Sequence, residues 1–167
     1  MLGAADASEI VFTSGGTESD NWAIVGALEL QPAKRHIVTT AVEHEAVRKM
    51  CEKLEEQGCE VTWLGVNDQG ELDLDELENA LRPDTAIVSI MTANNQTGVI
   101  FPVAEAAAVV KANSDALFHT DGVNAAGKMP IDLKRTQIDL MSISGHKFYA
   151  PKGIGALYIR AGVDVPS

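Results

Sequence analysis

Seven short runs of apolar and β-branched residues, with helical patterns between most of them, limit what this chain can fold into more than any other feature of its sequence. The runs are Ile10-Val11-Phe12 and residues 36–41, 61–66, 86–93, 117–121, 140–144 and 154–159. Between them, apolar residues recur at helical spacing: Val47, Met50, Cys51 and Leu54 in 45–57, Leu74, Leu77 and Leu81 in 73–81, and Val103, Ala106, Ala107 and Val110 in 103–113. Asp73 stands at a helix start with acids behind it, and Gly58 at a helix stop. Strands alternating with helices predict crossover connections. The expected fold class is therefore α/β, a three-layer α/β/α domain with a seven-stranded, mostly parallel sheet.

A length of 167 residues fits one domain with a sizeable core. The net charge of −11 repels phosphate backbones, which argues against nucleic acid as a partner. No apolar run approaches the ~20 residues of a membrane span. Residues 1–6 have neither the basic start nor the apolar core of a secretory signal. Cys51 and Cys59 have no metal or redox spacing, so a cytoplasmic protein is expected.

Open α/β sheets bind ligands outside the carboxyl ends of their strands. Five polar stretches fall at such ends: Thr13-Ser14-Gly15-Gly16-Thr17, Val42-Glu43-His44, residues 92–96, residues 120–124, and Ser144-Gly145-His146-Lys147. In the first, Gly15-Gly16 lets a ligand approach the backbone, a helix starts behind it with amides that suit phosphate, and Thr17 adds a hydroxyl. Taken alone this is as well read as a turn with Ser14 or Thr17 capping the helix. His44 can stack on a flat ring or exchange a proton, or simply cap a helix. A metal reading of Glu43-His44-Glu45 fails because adjacent residues do not share a helix face, so no metal is expected. Asn95 offers an amide that can touch a phenolic oxygen; the plainer alternative is a polar turn ended by Gly98.

Asp121 closes a buried strand, where a carboxylate is costly unless paired. A protonated pyridinium nitrogen would pair it, as would the amides of its own turn. Asn124 lies about one turn onward and either reaches the same ligand or is plain loop. Lys147 is a poor nucleophile at an ordinary lysine pKa of about 10.4. It becomes useful in a pocket or once condensed with an aldehyde, with Ser144 and His146 beside it to hold a phosphate; taken alone, the stretch is better read as an exposed lysine in a basic loop. Each stretch is weak alone. Together they supply an anion seat, a stacking ring, an amide, a carboxylate and an amine, all at strand ends.

The same stretches resemble cysteine desulfurases, in the class V aminotransferase group of fold type I pyridoxal-phosphate enzymes. The resemblance runs through residues 13–21, Glu43-His44-Glu45-Ala46-Val47, residues 94–98, 119–124 and, most specifically, Ser144-Gly145-His146-Lys147 with the Pro151-Lys152-Gly153-Ile154-Gly155 tail. Residues 97–103 are closest to the NifS branch, which serves nitrogenase iron–sulfur assembly and hence nitrogen fixation. The resemblance implies a pyridoxal 5'-phosphate cofactor held as a Schiff base by Lys147. It implies that His44 stacks on the ring and helps move protons, and that Asp121 pairs with the ring nitrogen. Asn95 and Asn124 would sit near the phenolic oxygen, and Thr17, Ser144, His146 and the Gly16 amide would bind the phosphate. The implied reaction takes sulfur from L-cysteine, releases L-alanine and leaves a persulfide for an iron–sulfur scaffold protein, in a homodimer. Asn124 stands where the family has Gln, one methylene longer, and Gln96 where it has Glu.

Family members run well over twice this length. The resemblance thus implies that residues 1–167 are part of a cofactor-binding large domain, without the small domain that bears the nucleophilic cysteine and the arginine gripping the substrate carboxylate. Cys51, on a core-facing helix position, and Cys59, in line with Val61 and Trp63 as a buried strand residue, do not substitute for that cysteine. The alternatives are another class V enzyme, such as a selenocysteine lyase or an aminotransferase, or a non-catalytic cofactor-binding domain. A dinucleotide-binding domain is disfavoured because no G-x-G-x-x-G turn follows the first strand. The purified 167-residue chain is expected to release no sulfide from L-cysteine; a sulfide assay showing turnover overturns this.

Overall fold

The structure, a computed structural model, describes residues 2–166. All seven expected strands form: β1 (Ile10–Thr13), β2 (His36–Thr40), β3 (Glu60–Leu64), β4 (Thr85–Ser89), β5 (Leu117–Asp121), β6 (Leu140–Ser144) and β7 (Gly155–Ile159). They make one sheet in the order β1-β7-β6-β5-β4-β2-β3. β7 is antiparallel to both neighbours, and the pairings among β2 to β6 are parallel, so β7 alone runs against the rest. The helices are α1 (Gly16–Leu30), α2 (Glu45–Glu56), α3 (Leu74–Ala80) and α4 (Val103–Asn113). None of these helices is long and apolar enough to cross a membrane.

The sheet is buried on both faces because its central strands carry apolar residues in adjacent pairs. Ile37/Val38, Ile87/Val88, Leu117/Phe118, Leu140/Met141 and Leu157/Tyr158 each send the first residue toward α1 and α2 and the second toward α3 and α4. α1 answers with Ala23, Ile24, Ala27 and Leu28, and α2 with Val47, Cys51 and Leu54. On the other face stand Leu77 from α3 and Ala106, Ala107 and Val110 from α4. Each fully buried large side chain, Phe118 and Ile24 among them, contributes roughly 1.5–3 kcal/mol by leaving water.

Local signals end the helices where the sequence predicts. Asp73 accepts from the amides of Asp75 and Glu76 at 2.8 and 3.3 Å and so caps α3. Gly58 has φ +85°, and the amides of Gly58 and Cys59 reach back to Glu55 and Leu54 carbonyls, closing α2 in a Schellman turn. Several expectations shift in detail. Met50, Leu74, Leu81 and Val103 are only partly buried, because they lie at the margins of their helix faces. The run 86–93 leaves the sheet after Ser89, and Cys59 is buried in the turn before β3 instead of in the strand.

The reversed strand positions the loops around it. Gly155 opens β7 opposite Thr13 of β1 and Ser144 of β6. A Cβ there would lie 2.7 Å from Gly15 Cα, Gly15 C and the Ile143 carbonyl, all of them backbone atoms. Gly155→Ala is therefore expected to cost about 1–3 kcal/mol by forcing β1 and β7 apart. Urea denaturation of the variant against the parent chain checks it.

Candidate functional site

The carboxyl ends of β1, β2, β4, β5 and β6 lie along one edge of the sheet and surround a cavity of about 150 Å³. It is lined by Gly16, Thr17, His44, Asn95, Asp121, Asn124, Ser144, His146 and Lys147, which are all nine residues singled out in the sequence, and by Asp20, Met91 and Val123. Thr17, His44, Asn95, His146 and Lys147 form an exposed rim, whereas Gly16, Asp20, Met91, Asp121 and Ser144 form a buried floor.

The turn before α1 is built to leave amides open. Its N-cap is Gly15, so the first turn has no side-chain cap among the described residues. Ser14 is occupied elsewhere, its amide and hydroxyl both donating to Glu18 at 2.6 Å. Thr13 Oγ1 donates to the Gly15 carbonyl at 3.1 Å and meets Ser19 Oγ at 2.8 Å, which pins the turn from inside. Gly16 is packed against the far wall: a Cβ would meet Val123 Cγ2 at 2.7 Å and Ser144 Cβ at 3.4 Å. This is a cradle for an anion at a helix start.

His44 is the N-cap of α2, with Nδ1 accepting from the Ala46 amide at 3.1 Å. That bond makes Nδ1 the acceptor and leaves Nε2 to carry the hydrogen of the neutral ring. The cap and the cavity wall are thus one residue. Asn95 sits in a small hairpin closed by the Ala93–Ile100 bridge. Asn94 holds that hairpin, accepting from the Gln96 and Thr97 amides at 2.9 Å and donating to the Val42 carbonyl at 3.1 Å. Lys147 rides on a short 3-10 turn, Gly145–Phe148, that ends at Tyr149 with φ +71°, a left-handed conformation costly for a side chain with a Cβ. Ser144 Oγ and His146 Nδ1 are 2.8 Å apart.

Asp121 accepts from the Val123 amide at 2.8 Å, so the turn supplies part of its partnership. Burial is the largest influence and pushes its carboxyl above the ordinary range, while that amide and the charge of Lys147 work against the rise. Lys147 across the cavity thus favours the charged form of Asp121.

Two buried acids at this site carried no role in the sequence reading. Asp20 is on the inner face of α1, and Glu43 precedes His44. Asp20 shares a helix face with Ala23, Ile24 and Ala27, and that spacing is the signal that marks it as buried. Glu43 Oε1 accepts from Thr40 Oγ1 at 2.8 Å and the Met91 amide at 2.9 Å, tying the β2–α2 loop to the end of β4. Cys51 is buried in α2, and burial pushes its thiol up to about 12, far from a reactive thiolate. Among the described residues no group of His, Cys, Asp and Glu side chains is arranged to hold a metal ion.

A three-layer sheet with this edge defines a class of enzyme folds, and the sequence pattern of the class V aminotransferases matches residues 1–166. The chain belongs to the class V aminotransferase family. Within it, the similarity is to cysteine desulfurases: the chain is 59% identical to the cysteine desulfurase of Nostoc sp. over 163 residues, 98% of this chain and 40% of that protein. A solved NifS-like protein superposes with a TM-score of 0.92 at 42% identity, over 96% of this chain and 44% of the other. The structure of SspA in complex with cysteine superposes with a TM-score of 0.93 at 40% identity, over 99% of this chain and 48% of the other. The chain thus spans about 40% of the length of the curated relative it matches.

Glu43 yields a stability prediction. Burial pushes its carboxyl from 4.5 up to about 8, and the charge of Asp121 adds to the rise. Through that window the folded chain holds a proton the unfolded chain has released, so Glu43 lowers stability as pH rises. Glu43→Gln is expected to gain stability relative to the parent as pH rises from about 5 to 8, on the order of 1 kcal/mol per pH unit. Calorimetric unfolding across that range checks it, and parallel curves for the two proteins contradict it.

Proposed function

We propose that residues 1–167 are the cofactor-binding part of a pyridoxal-phosphate-dependent cysteine desulfurase, with Lys147 as the residue that holds the cofactor. The observation that carries this reading is that Lys147 and Asp121, 26 positions apart in the sequence, line one cavity, with the charge of Lys147 acting on the Asp121 carboxyl.

The donor set fits the group. Open amides at the start of α1, Thr17, Ser144 and His146 suit a phosphate on one side. The buried Asp121 suits a protonated ring nitrogen, a charge-assisted bond stronger than a neutral one. The His44 imidazole suits the face of the ring, Asn95 and Asn124 its phenolic oxygen, and Lys147 Nζ its aldehyde. When bound, pyridoxal 5'-phosphate supplies an aldehyde and an electron-withdrawing ring on which charge at the substrate Cα is delocalised.

The rest of the work falls to the chain. Asp121 keeps the ring nitrogen protonated by presenting a carboxylate in a setting of low dielectric. Lys147 Nζ would move the proton at the substrate Cα, and His44 Nε2 would exchange protons beside it. The α1 cradle fixes the phosphate end, so that the reacting atoms are held at one place on the rim. The substrate is L-cysteine and the product L-alanine. A cysteine thiolate other than the buried Cys51 and Cys59 would attack the substrate sulfur, forming the S–S bond as the C–S bond breaks; the electron pair of that bond stays on the substrate carbon, which takes up a proton to become L-alanine. The persulfide so formed supplies an iron–sulfur scaffold protein, in the cytoplasm, from a homodimer. This reading rests on the similarity to cysteine desulfurases, and the likeness to a solved NifS-like protein supports the NifS branch among them.

Adding pyridoxal phosphate to the purified chain is expected to produce an absorption band at the edge of the visible, and Lys147→Ala to abolish it. A band of the same position and strength in Lys147→Ala would show that another amine is used and would sink the assignment.

A further inference from the structure

Asp20 is the cavity residue that the scheme above leaves without a task. It is 1% exposed, yet it lines the cavity, and its Oδ1 is buried with no hydrogen-bond partner among the described residues. Below it runs a polar row across three strands. Ser89 Oγ of β4 meets His119 Nδ1 of β5 at 2.9 Å, and His119 Nε2 meets Ser142 Oγ of β6 at 2.9 Å. Asp20 Oδ1 stands 3.6 Å from that Nε2, outside hydrogen-bond reach.

His119 brings no charge to this contact. It is fully buried, both ring nitrogens face hydroxyls, and burial pushes it down to about 3, so it is a neutral ring. The other titratable groups facing Asp20 are Asp121 at the end of β5 and Glu43 on the β2–α2 loop, and both are acids. Burial first, then the charge of Asp121, pushes Asp20 well up; Ser142 opposes this and Glu43 adds to it. Lys147 on the rim acts on Asp121. Two carboxylates at this depth do not both ionise readily, since like charges repel strongly where water is excluded. Asp121 has an amide from its own turn and the charge of Lys147 in view, whereas Asp20 Oδ1 has no hydrogen-bond partner among the described residues, so the charge settles on Asp121 and the proton on Asp20.

We propose that Asp20 is a positioning residue of the cavity: its neutral carboxyl sits on the Ser89–His119–Ser142 row and leaves Asp121 as the carboxylate that carries the negative charge of the floor. The inference deepens the cofactor reading and rests on it only for what Asp121 faces.

The test is a carbon-13 titration of side-chain carboxyls in the cofactor-free chain labelled at aspartate, with resonances assigned through the backbone so that no Asp20 variant is needed. Asp20 is expected to keep its acid-form shift at neutral pH while Asp121 shows its ionised form. Asp121→Asn is expected to lower the Asp20 midpoint, because a like charge is gone. Asp20 titrating in the ordinary range near 4, or Asp121 proving to be the protonated partner, or an Asp20 midpoint indifferent to Asp121→Asn, overturns the proposal. A second arm measures affinity for pyridoxal phosphate. Asp20→Asn, which mimics the neutral acid, is expected to stay within about threefold of the parent, and Asp121→Asn to weaken binding about tenfold, the loss of one charge-assisted bond. The reverse ranking overturns the proposal. If the parent chain binds no pyridoxal phosphate, the functional reading fails, and the carboxyl titration still decides the role of Asp20.

Discussion

Asp121 ends a strand in which every residue is buried, and a carboxylate in that position has to be matched by something. The Val123 amide supplies part of the match and the charge of Lys147 on the rim another part. The surroundings are arranged to make the remaining charge tolerable. His119, two residues back on the same face, is a neutral ring held between hydroxyls. Asp20 and Glu43, the other acids nearby, are both pushed toward their neutral forms by burial. A ligand that brings a positive edge to this floor gains more than it would in water, because nothing else at that depth competes for the charge.

The sheet order explains how residues so far apart in sequence meet. In a parallel sheet every crossover returns the chain to the same edge, so each strand end delivers its loop beside the last. Adjacent apolar pairs in the central strands fix which side chains face α1 and α2, and Asp121 and Ser144 keep that alternation to the last residue of their strands. The same packing that stabilises the core therefore aims the carboxylate. Stability is also spent at this edge, on two buried acids and on the left-handed backbone of Tyr149.

Much of this was legible in the residues. Strands declared themselves through β-branched runs, helix ends through Asp73 and Gly58, and the nine cavity residues through their places at strand ends. What was not legible depends on contacts between elements. Asp20 lies in a polar stretch, Thr17-Glu18-Ser19-Asp20-Asn21, and although its spacing with Ala23, Ile24 and Ala27 puts it on the inner helix face, its meeting with His119 and Asp121 depends on α1 packing across β5 and β6. Glu43 entered the sequence reading only in the rejected metal cluster, and its burial comes from Thr40 and Met91 closing over it. The reversal of β7 and the sheet order leave no periodic trace in a strand that is apolar on both faces.

That reversal has a mechanical result. Since β7 is inverted, its first residue and not its last stands at the ligand-binding edge, with Gly155 wedged against Gly15 and paired with Ser144. The glycine turn before α1 and the loop bearing Lys147 are thereby bolted to a common rail. Backbone contact and strand pairing set their separation, so it does not depend on any side chain between them.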